Sequence, residues 1–109
     1  MKVTIDTKQM IRPYRPILAE ELARIGCKIK GGELTVKVED FTVFLRAYMG
    51  FLEKVSKNAV CIESKLVRLS LFLCPYVIVE SELTHRRIVV TIWYSEEENG
   101  MHYKYERDE

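Results

Sequence analysis

The feature that most constrains this chain is the alternation of apolar and polar residues through its C-terminal third. Three segments alternate in this way, 76–83, 88–97 and 101–106. A period of two places successive side chains on opposite faces of a β-strand. The dipeptide Asn99-Gly100 between the last two segments is typical of a tight hairpin turn. We therefore predict an antiparallel β-meander for this part of the chain.

The two turns also predict how the three strands pair. A two-residue turn at Asn99-Gly100 sets Tyr94 opposite Tyr105, and a loop at 84–87 sets Val79 opposite Ile92. One face of the meander is then apolar and is predicted to be the core face; it carries Val77, Val79, Leu83, Ile88, Val90, Ile92, Tyr94, Met101, Tyr103 and Tyr105. The other face is charged, except for an apolar island of Tyr76, Ile78, Val89 and Trp93.

The first 38 residues predict a strand, a helix and a hairpin. Alternation over 2–7 places Val3 and Ile5 on one face of a strand. Pro16 suits the first turn of a helix, and Gly26 suits its left-handed C-terminal cap. The pair Gly31-Gly32 favours a hairpin within 27–38, because glycine adopts positive φ at little cost.

A second helix is predicted over 41–56, with the Asp40 carboxylate as its N-terminal cap. Its polar residues occupy only a narrow stripe, whereas a helix that packs on one sheet needs an apolar arc of about 100°. We therefore expect this helix to be covered on more than one side. Gly50 weakens it by about 1 kcal/mol relative to alanine. Either a close approach of another segment compensates for this loss of helix stability, or the loss is not compensated.

The segment 67–74 also alternates and favours a strand, although a helix from Ser64 uses the same apolar residues. With that strand, the order of elements through residue 74 is β-α-β-β-α-β, the order of a ferredoxin-like unit. The predicted fold is α+β, a ferredoxin-like arrangement followed by the β-meander. At 109 residues, we expect residues 1–109 to form one domain.

The stretch 31–55 combines a glycine hairpin with an aspartate-capped apolar helix that contains Leu45-Arg46-Ala47 and Phe51-Leu52. It resembles the end of the small dimerising subunit of the KEOPS tRNA-modification complex. The first helix is shorter than that family's pattern, and residues 59–109 have no counterpart in it. We therefore carry no function over from this resemblance.

Residues with catalytic or metal-binding chemistry are sparse and widely spaced. A metal site would have to combine Cys61, Cys74, His85 and His102, whose separations match none of the short paired spacings of structural zinc sites. The chain has two His and three Asp, and no nucleophile motif. We expect reduced cysteines, no metal, no cofactor and no enzymatic activity.

The sequence also bears on the cellular location of the protein and on the kind of organism it comes from. The first residues are unlike a signal peptide, and the apolar segments are shorter than the roughly 18 residues of a membrane span. We expect a cytoplasmic protein with no membrane partner. Asn and Gln are scarce while 30% of residues are charged, a bias that recurs in thermophile proteins.

These features favour a non-enzymatic interaction module that forms a homodimer or joins a larger assembly. Its predicted interface combines the apolar island with the second helix, through Tyr76, Ile78, Val89, Trp93, Tyr48 and Phe51. The alternative is a domain that binds RNA or DNA. Residues 1–32 carry seven Lys or Arg against three acids, and basic residues beside an aromatic ring can hold phosphates and stack on a base. That alternative uses Arg12, Tyr14, Arg15, Arg86 and Arg87.

Overall fold

The computed structural model describes residues 1–10, 12–57, 76–95, 97–98 and 100–109. Its main elements, in chain order, are β1 (Lys2–Asp6), α1 (Arg15–Ala23), β2 (Lys28–Lys30), β3 (Glu33–Lys37), α2 (Phe41–Lys57), β4 (Tyr76–Glu80), β5 (Arg87–Ser95) and β6 (Gly100–Asp108). Short 3₁₀ turns over Thr7–Gln9 and Arg12–Tyr14 join β1 to α1. The predicted strand or helix at 67–74 lies outside the described residues.

The six strands form one antiparallel sheet in the order β2-β3-β1-β4-β5-β6. One face of the sheet and both helices enclose a single apolar core. The sheet contributes mainly valine and isoleucine, whereas α2 contributes a row of aromatic rings, Phe41, Phe44, Tyr48 and Phe51. The fold is therefore α+β, as predicted.

The local signals of the N-terminal half are confirmed. Val3 and Ile5 are buried in β1. Gly26 and Gly31 have positive φ, at the end of α1 and in the β2–β3 turn. The Asp40 Oδ1 atom accepts a hydrogen bond from the backbone N–H of Thr42 at 3.1 Å, which caps α2 as predicted.

The predicted registers of both C-terminal hairpins are wrong by four residues. Val79 lies opposite Ile88 rather than Ile92, and Tyr94 lies opposite Met101 rather than Tyr105. Because four is an even number, the faces of the paired residues are unchanged. The prediction for Leu83 fails, since β4 ends at Glu80 and Leu83 is 94% exposed in the following turn.

Both register errors come from hydroxyl groups that end the ladders early. In the β4–β5 turn, Ser81 Oγ accepts from the N–H of Thr84, and Thr84 Oγ1 accepts from the N–H of Arg86. In the next turn, Ser95 Oγ accepts from the N–H of Glu98. Such local bonds offer the backbone an alternative to strand pairing. Each ladder therefore ends earlier than the sequence predicts, at the pair Glu80 and Arg87 and at the pair Ser95 and Gly100. The loops are longer than the predicted loops 84–87 and 99–100.

The wide apolar arc of α2 is covered by other elements of the same chain. Its buried side chains share one core with those of the sheet, and α2 also contacts both α1 and β6. Seven of its apolar residues are buried as a result, Phe41, Phe44, Leu45, Tyr48, Phe51, Leu52 and Val55. These apolar residues of α2 are thus buried by other parts of the same chain. Their wide arc on the helix does not by itself require a second molecule.

Candidate interaction surface

Among the strands that the structure describes, β6 has the longest free edge. β6 has nine residues, and of the described strands only β5 pairs with it, so β6 is the last strand in their order. The opposite edge, β2, has three residues. A bulge at Val89/Val90 of β5 interrupts the ladder near the C-terminal end of β6, so that the pairs from Gly100 to Tyr105 form its regular half. An edge strand of this length is a template for another strand.

Aromatic rings lead from the core to this edge. The ring of the buried Phe41 lies 4.7 Å from that of Tyr103, which lies 5.6 Å from that of Tyr105. Tyr103 and Tyr105 are exposed, Tyr105 by 47%. Partial burial, followed by the neighbouring Tyr103 and Asp40, raises the pKa of Tyr105. Phe41, at the start of α2, is thus buried, whereas the two tyrosines are partly in solvent.

A cleft continues this apolar row from Tyr105 to the β4–β5 turn. Its volume is about 550 Å³, and its apolar lining includes Val79, Leu83, Ile88 and Tyr105. Leu83 stands at the tip of the β4–β5 turn, where His85 holds a left-handed φ of 56°. The nearly fully exposed Leu83 thus lines this cleft together with the half-exposed Tyr105, whose ring packs on that of Tyr103. Exposed apolar side chains that adjoin in this way are of the kind that marks interaction sites. We call Leu83, Tyr103 and Tyr105 the β6 patch.

The predicted apolar island lies on the other face of the sheet. Ile78 and Val89 are direct cross-strand partners, and each is only 6% exposed within the chain. Tyr76 and Trp93 are half-buried. The Trp93 ring lies 5.8 Å from that of His102, its partner on β6. Ile78 and Val89 therefore need no partner to leave water, and an interface at Trp93 stays a prediction.

The two α2 residues of the predicted interface lie in the core. Tyr48 and Phe51 are fully buried, and their rings pack at 5.4 Å from each other. They present no surface to a partner molecule. A surface built on α2 would instead use residues such as Thr42, Val43, Arg46 and Glu53, which are exposed.

The five residues of the nucleic-acid alternative do not form one patch. Arg12, Tyr14 and Arg15 follow the Asp6 end of β1, whereas Arg86 and Arg87 lie at its Lys2 end, next to Glu80. That separation is about 13 Å along a five-residue strand. The two groups could not contact the same phosphate.

Most of these cations also have partners already. Arg15 donates to the carbonyl oxygens of Met10 and Lys8 at 3.0 and 2.9 Å, so it braces the loop before α1. Arg86 donates twice to Asp108, which lowers the pKa of that carboxyl, and Arg87 pairs with Glu109 at 2.7 Å. Arg12 remains exposed, and nucleic-acid binding stays a prediction.

A buried carboxylate lies between the two helices. Glu21 of α1 is 5% exposed, and its Oε1 lies 2.6 Å from Nζ of Lys54 on α2. A Cβ atom at Gly50 would lie 3.2 Å from Glu21 Oε2. Gly50 therefore makes room for this carboxylate. Of the two explanations that the sequence allowed for Gly50, the structure shows the close approach of another segment.

The described residues contain no group of three or more His, Cys, Asp or Glu side chains that could hold a metal ion. Cys27 is a free thiol whose pKa is raised by burial, while Cys61 and Cys74 lie outside the described residues. Within the part of the chain that is described, no helix is long and apolar enough to cross a membrane. No family model, curated protein or solved structure matches this chain.

The sequence prediction missed the β6 patch because it treated all three strands of the meander alike. Tyr103 and Tyr105 share the core face with Val90 and Ile92, as predicted. However, the last strand of a meander has one neighbour, and the helix layer does not extend fully over it. The position of these tyrosines at the end of the strand order was the signal that could have identified them.

Proposed function

We propose that this protein is a non-enzymatic interaction module that forms a homodimer through the edge of β6. The observation that carries the proposal is the nine-residue outer edge of β6, which no described strand pairs and which the half-exposed Tyr103 and Tyr105 border. Antiparallel pairing of two β6 strands would satisfy unpaired backbone groups of both copies and continue the sheet.

A two-fold axis perpendicular to the sheet suits this surface. Such an axis keeps the helices of both copies on the same face, so that Tyr103 and Tyr105 of both copies would meet beside the joined strands. Aromatic side chains at the centre of an interface commonly contribute most of its binding energy. The regular half of β6, from Gly100 to Tyr105, is where we expect the strands to pair, because the bulge distorts the rest.

For the fold, we propose that β1-α1-β2-β3-α2-β4 forms a ferredoxin-like unit and that β5 and β6 are its appended hairpin. The strand order β2-β3-β1-β4 supports this assignment. A cytoplasmic location and a thermophilic source remain predictions from composition.

The test compares the mass in solution of the unmodified chain with that of two matched variants. Tyr105→Lys places a charge in the β6 patch, whereas Ile29→Lys makes a similar change on the opposite edge strand. Light scattering over a micromolar concentration series should give twice the 12.8 kDa chain mass for the unmodified protein and for Ile29→Lys. Tyr105→Lys should weaken dimerisation at least tenfold, which corresponds to about 1.4 kcal/mol.

Two results would contradict the proposal. One is a monomeric unmodified protein across the concentration series. The other is a dimer that both variants weaken equally, since that places the interface away from β6. Circular dichroism checks that each variant keeps its secondary structure.

A further inference from the structure

The opposite edge of the sheet has a chemistry of its own. β2 is a terminal strand whose three residues, Lys28, Ile29 and Lys30, are all exposed. Ile29 lies opposite the buried Leu34, so its side chain points toward the helix face, where it is 61% exposed. Lys28 and Lys30 point to the other face, since neighbouring side chains alternate along a strand.

A cleft adjoins the apolar side of this edge. It has a volume of about 230 Å³ between β2 and the start of α1, and its lining includes Ile29, Leu34, Pro16 and Ala19. The turn at its end is held in place, because Thr7 donates to the carbonyl oxygen of Gly32 through both its backbone N–H and its hydroxyl. The cleft is therefore a formed feature with small and aliphatic walls.

Four cations surround the same corner, Lys8, Arg15, Lys28 and Lys30, while Glu33, opposite Lys30, is the acidic residue of the β2–β3 hairpin. Lys8 packs on the β2–β3 turn, where its Cγ lies 3.2 Å from the position of a Cβ at Gly32. Arg15 lines the cleft. Among the described residues, no carboxylate forms an ion pair with Lys8, Lys28 or Lys30. Lysines on an edge strand discourage pairing with another basic edge, and they make an acidic strand the complementary partner.

We infer that β2 is a docking site for an extended acidic peptide that adds to the sheet as a seventh strand. In such a strand, acidic side chains lie beside Lys28 and Lys30, and the apolar side chain between them enters the cleft beside Ile29. The recognised chemistry is thus an alternation of acidic and apolar residues. This site is independent of the proposed dimer, because β2 and β6 are opposite edges of the sheet.

A peptide fits this surface better than a nucleic acid does. Recognition of single-stranded RNA or DNA relies on exposed aromatic rings on which bases stack. β2 carries no aromatic residue, and the nearby Tyr14 packs against the core. The edge instead offers backbone groups that no described strand pairs, together with an aliphatic cleft, and both suit an extended peptide chain.

The test uses three labelled probes with the full-length protein. These are the peptide Glu-Val-Glu-Val-Glu, its lysine counterpart Lys-Val-Lys-Val-Lys, and a ten-nucleotide uridine RNA. Fluorescence anisotropy at low salt should show binding of the acidic peptide only, and binding should weaken several-fold at 500 mM NaCl because exposed charges are then screened. NMR should show slower amide exchange at Lys28–Lys30 when the acidic peptide is bound.

Matched charge reversals locate the site. Lys28→Glu with Lys30→Glu should weaken binding of the acidic peptide at least tenfold. The control, Arg46→Glu with Arg107→Glu, makes the same change in charge at exposed positions on α2 and β6, away from β2, and should leave binding within twofold. Replacing both valines of the peptide with glycine should weaken binding several-fold, because the cleft is then left without its apolar side chain.

Each remaining outcome would overturn the inference. Binding of the RNA but not of the acidic peptide would assign this corner to nucleic acid. Equal loss in the two double variants would show a general charge effect rather than a site at β2. Absence of any peptide binding, while the unmodified protein is dimeric, would reject the β2 site without affecting the proposed function at β6.

Discussion

Replacing Gly50 by alanine tests whether the glycine exists to accommodate Glu21. In an isolated helix this change stabilises by about 1 kcal/mol. Here the new methyl group would lie 3.2 Å from Glu21 Oε2, closer than an ordinary contact. The carboxylate is buried, and its other oxygen is held at 2.6 Å by Lys54. Moving it weakens a charge-assisted hydrogen bond, a kind of interaction worth about 1.5 to 3 kcal/mol.

We therefore expect Gly50→Ala to lower the free energy of unfolding by about 1 kcal/mol, the crowding cost exceeding the gain in helix propensity. With Glu21→Ala already present, the same change should raise it by about 1 kcal/mol, since nothing then opposes the methyl group. The coupling between the two positions is the difference, about 2 kcal/mol.

Urea unfolding followed by circular dichroism measures all four chains of this cycle at one protein concentration. Ala47→Gly provides the reference for glycine in the same helix, at another half-buried position. Equal effects of Gly50→Ala in the two backgrounds would refute the reasoning, because they would show that the carboxylate does not oppose a side chain at position 50.

Three further predictions concern the surface. Asp108→Asn should lower thermal stability at neutral pH. The pKa of Asp108 in the folded state is lowered, chiefly by the hydrogen bond from Arg86. The carboxylate therefore stabilises the folded protein above its unfolded pKa, and this contribution is lost as pH falls through the folded pKa. A difference in thermal stability between the two proteins that persists at strongly acidic pH would contradict this. Trp93→Ala should leave the dimer mass unchanged if β6 is the interface, whereas loss of the dimer with the protomer still folded would move the interface to the Trp93 face. If the protein binds RNA, Arg12→Ala with Arg15→Ala should reduce the salt dependence of binding by about two units of slope, and gel shifts showing no binding at low salt would end that alternative.

The elements that could be predicted from the sequence are those set by local chemistry. Gly26, Gly31 and Asp40 fix helix and hairpin ends through φ and a cap, and both requirements act within a few residues. Alternation along each strand assigned its faces correctly, even where the register was four residues out. Local pattern was therefore sufficient for strand faces and for the ends of the N-terminal elements, but it did not give the end of β4 or the two C-terminal registers.

Other properties depend on pairs of residues that are distant in the sequence, and these could not be predicted. The reason for Gly50 is a carboxylate on the other helix, at Glu21. The burial of Tyr48 and Phe51 depends on the segments that flank α2 in space. The exposure of Tyr103 and Tyr105 depends on how far the helices extend over the last strand of the meander, which periodicity alone does not contain. The candidate surface thus became visible only once the sheet was assembled.

The central position of β1 has a consequence for how this chain folds. β1 is bonded on one side to residues 33–37 and on the other to residues 76–80, so neither neighbour is close to it in the sequence. Each pairing must close a long loop before any contact offsets the lost chain entropy. Domains dominated by such non-local pairings fold in milliseconds to seconds, far more slowly than helical bundles of similar size. During synthesis, the middle of this sheet cannot be completed until β4 has left the ribosome.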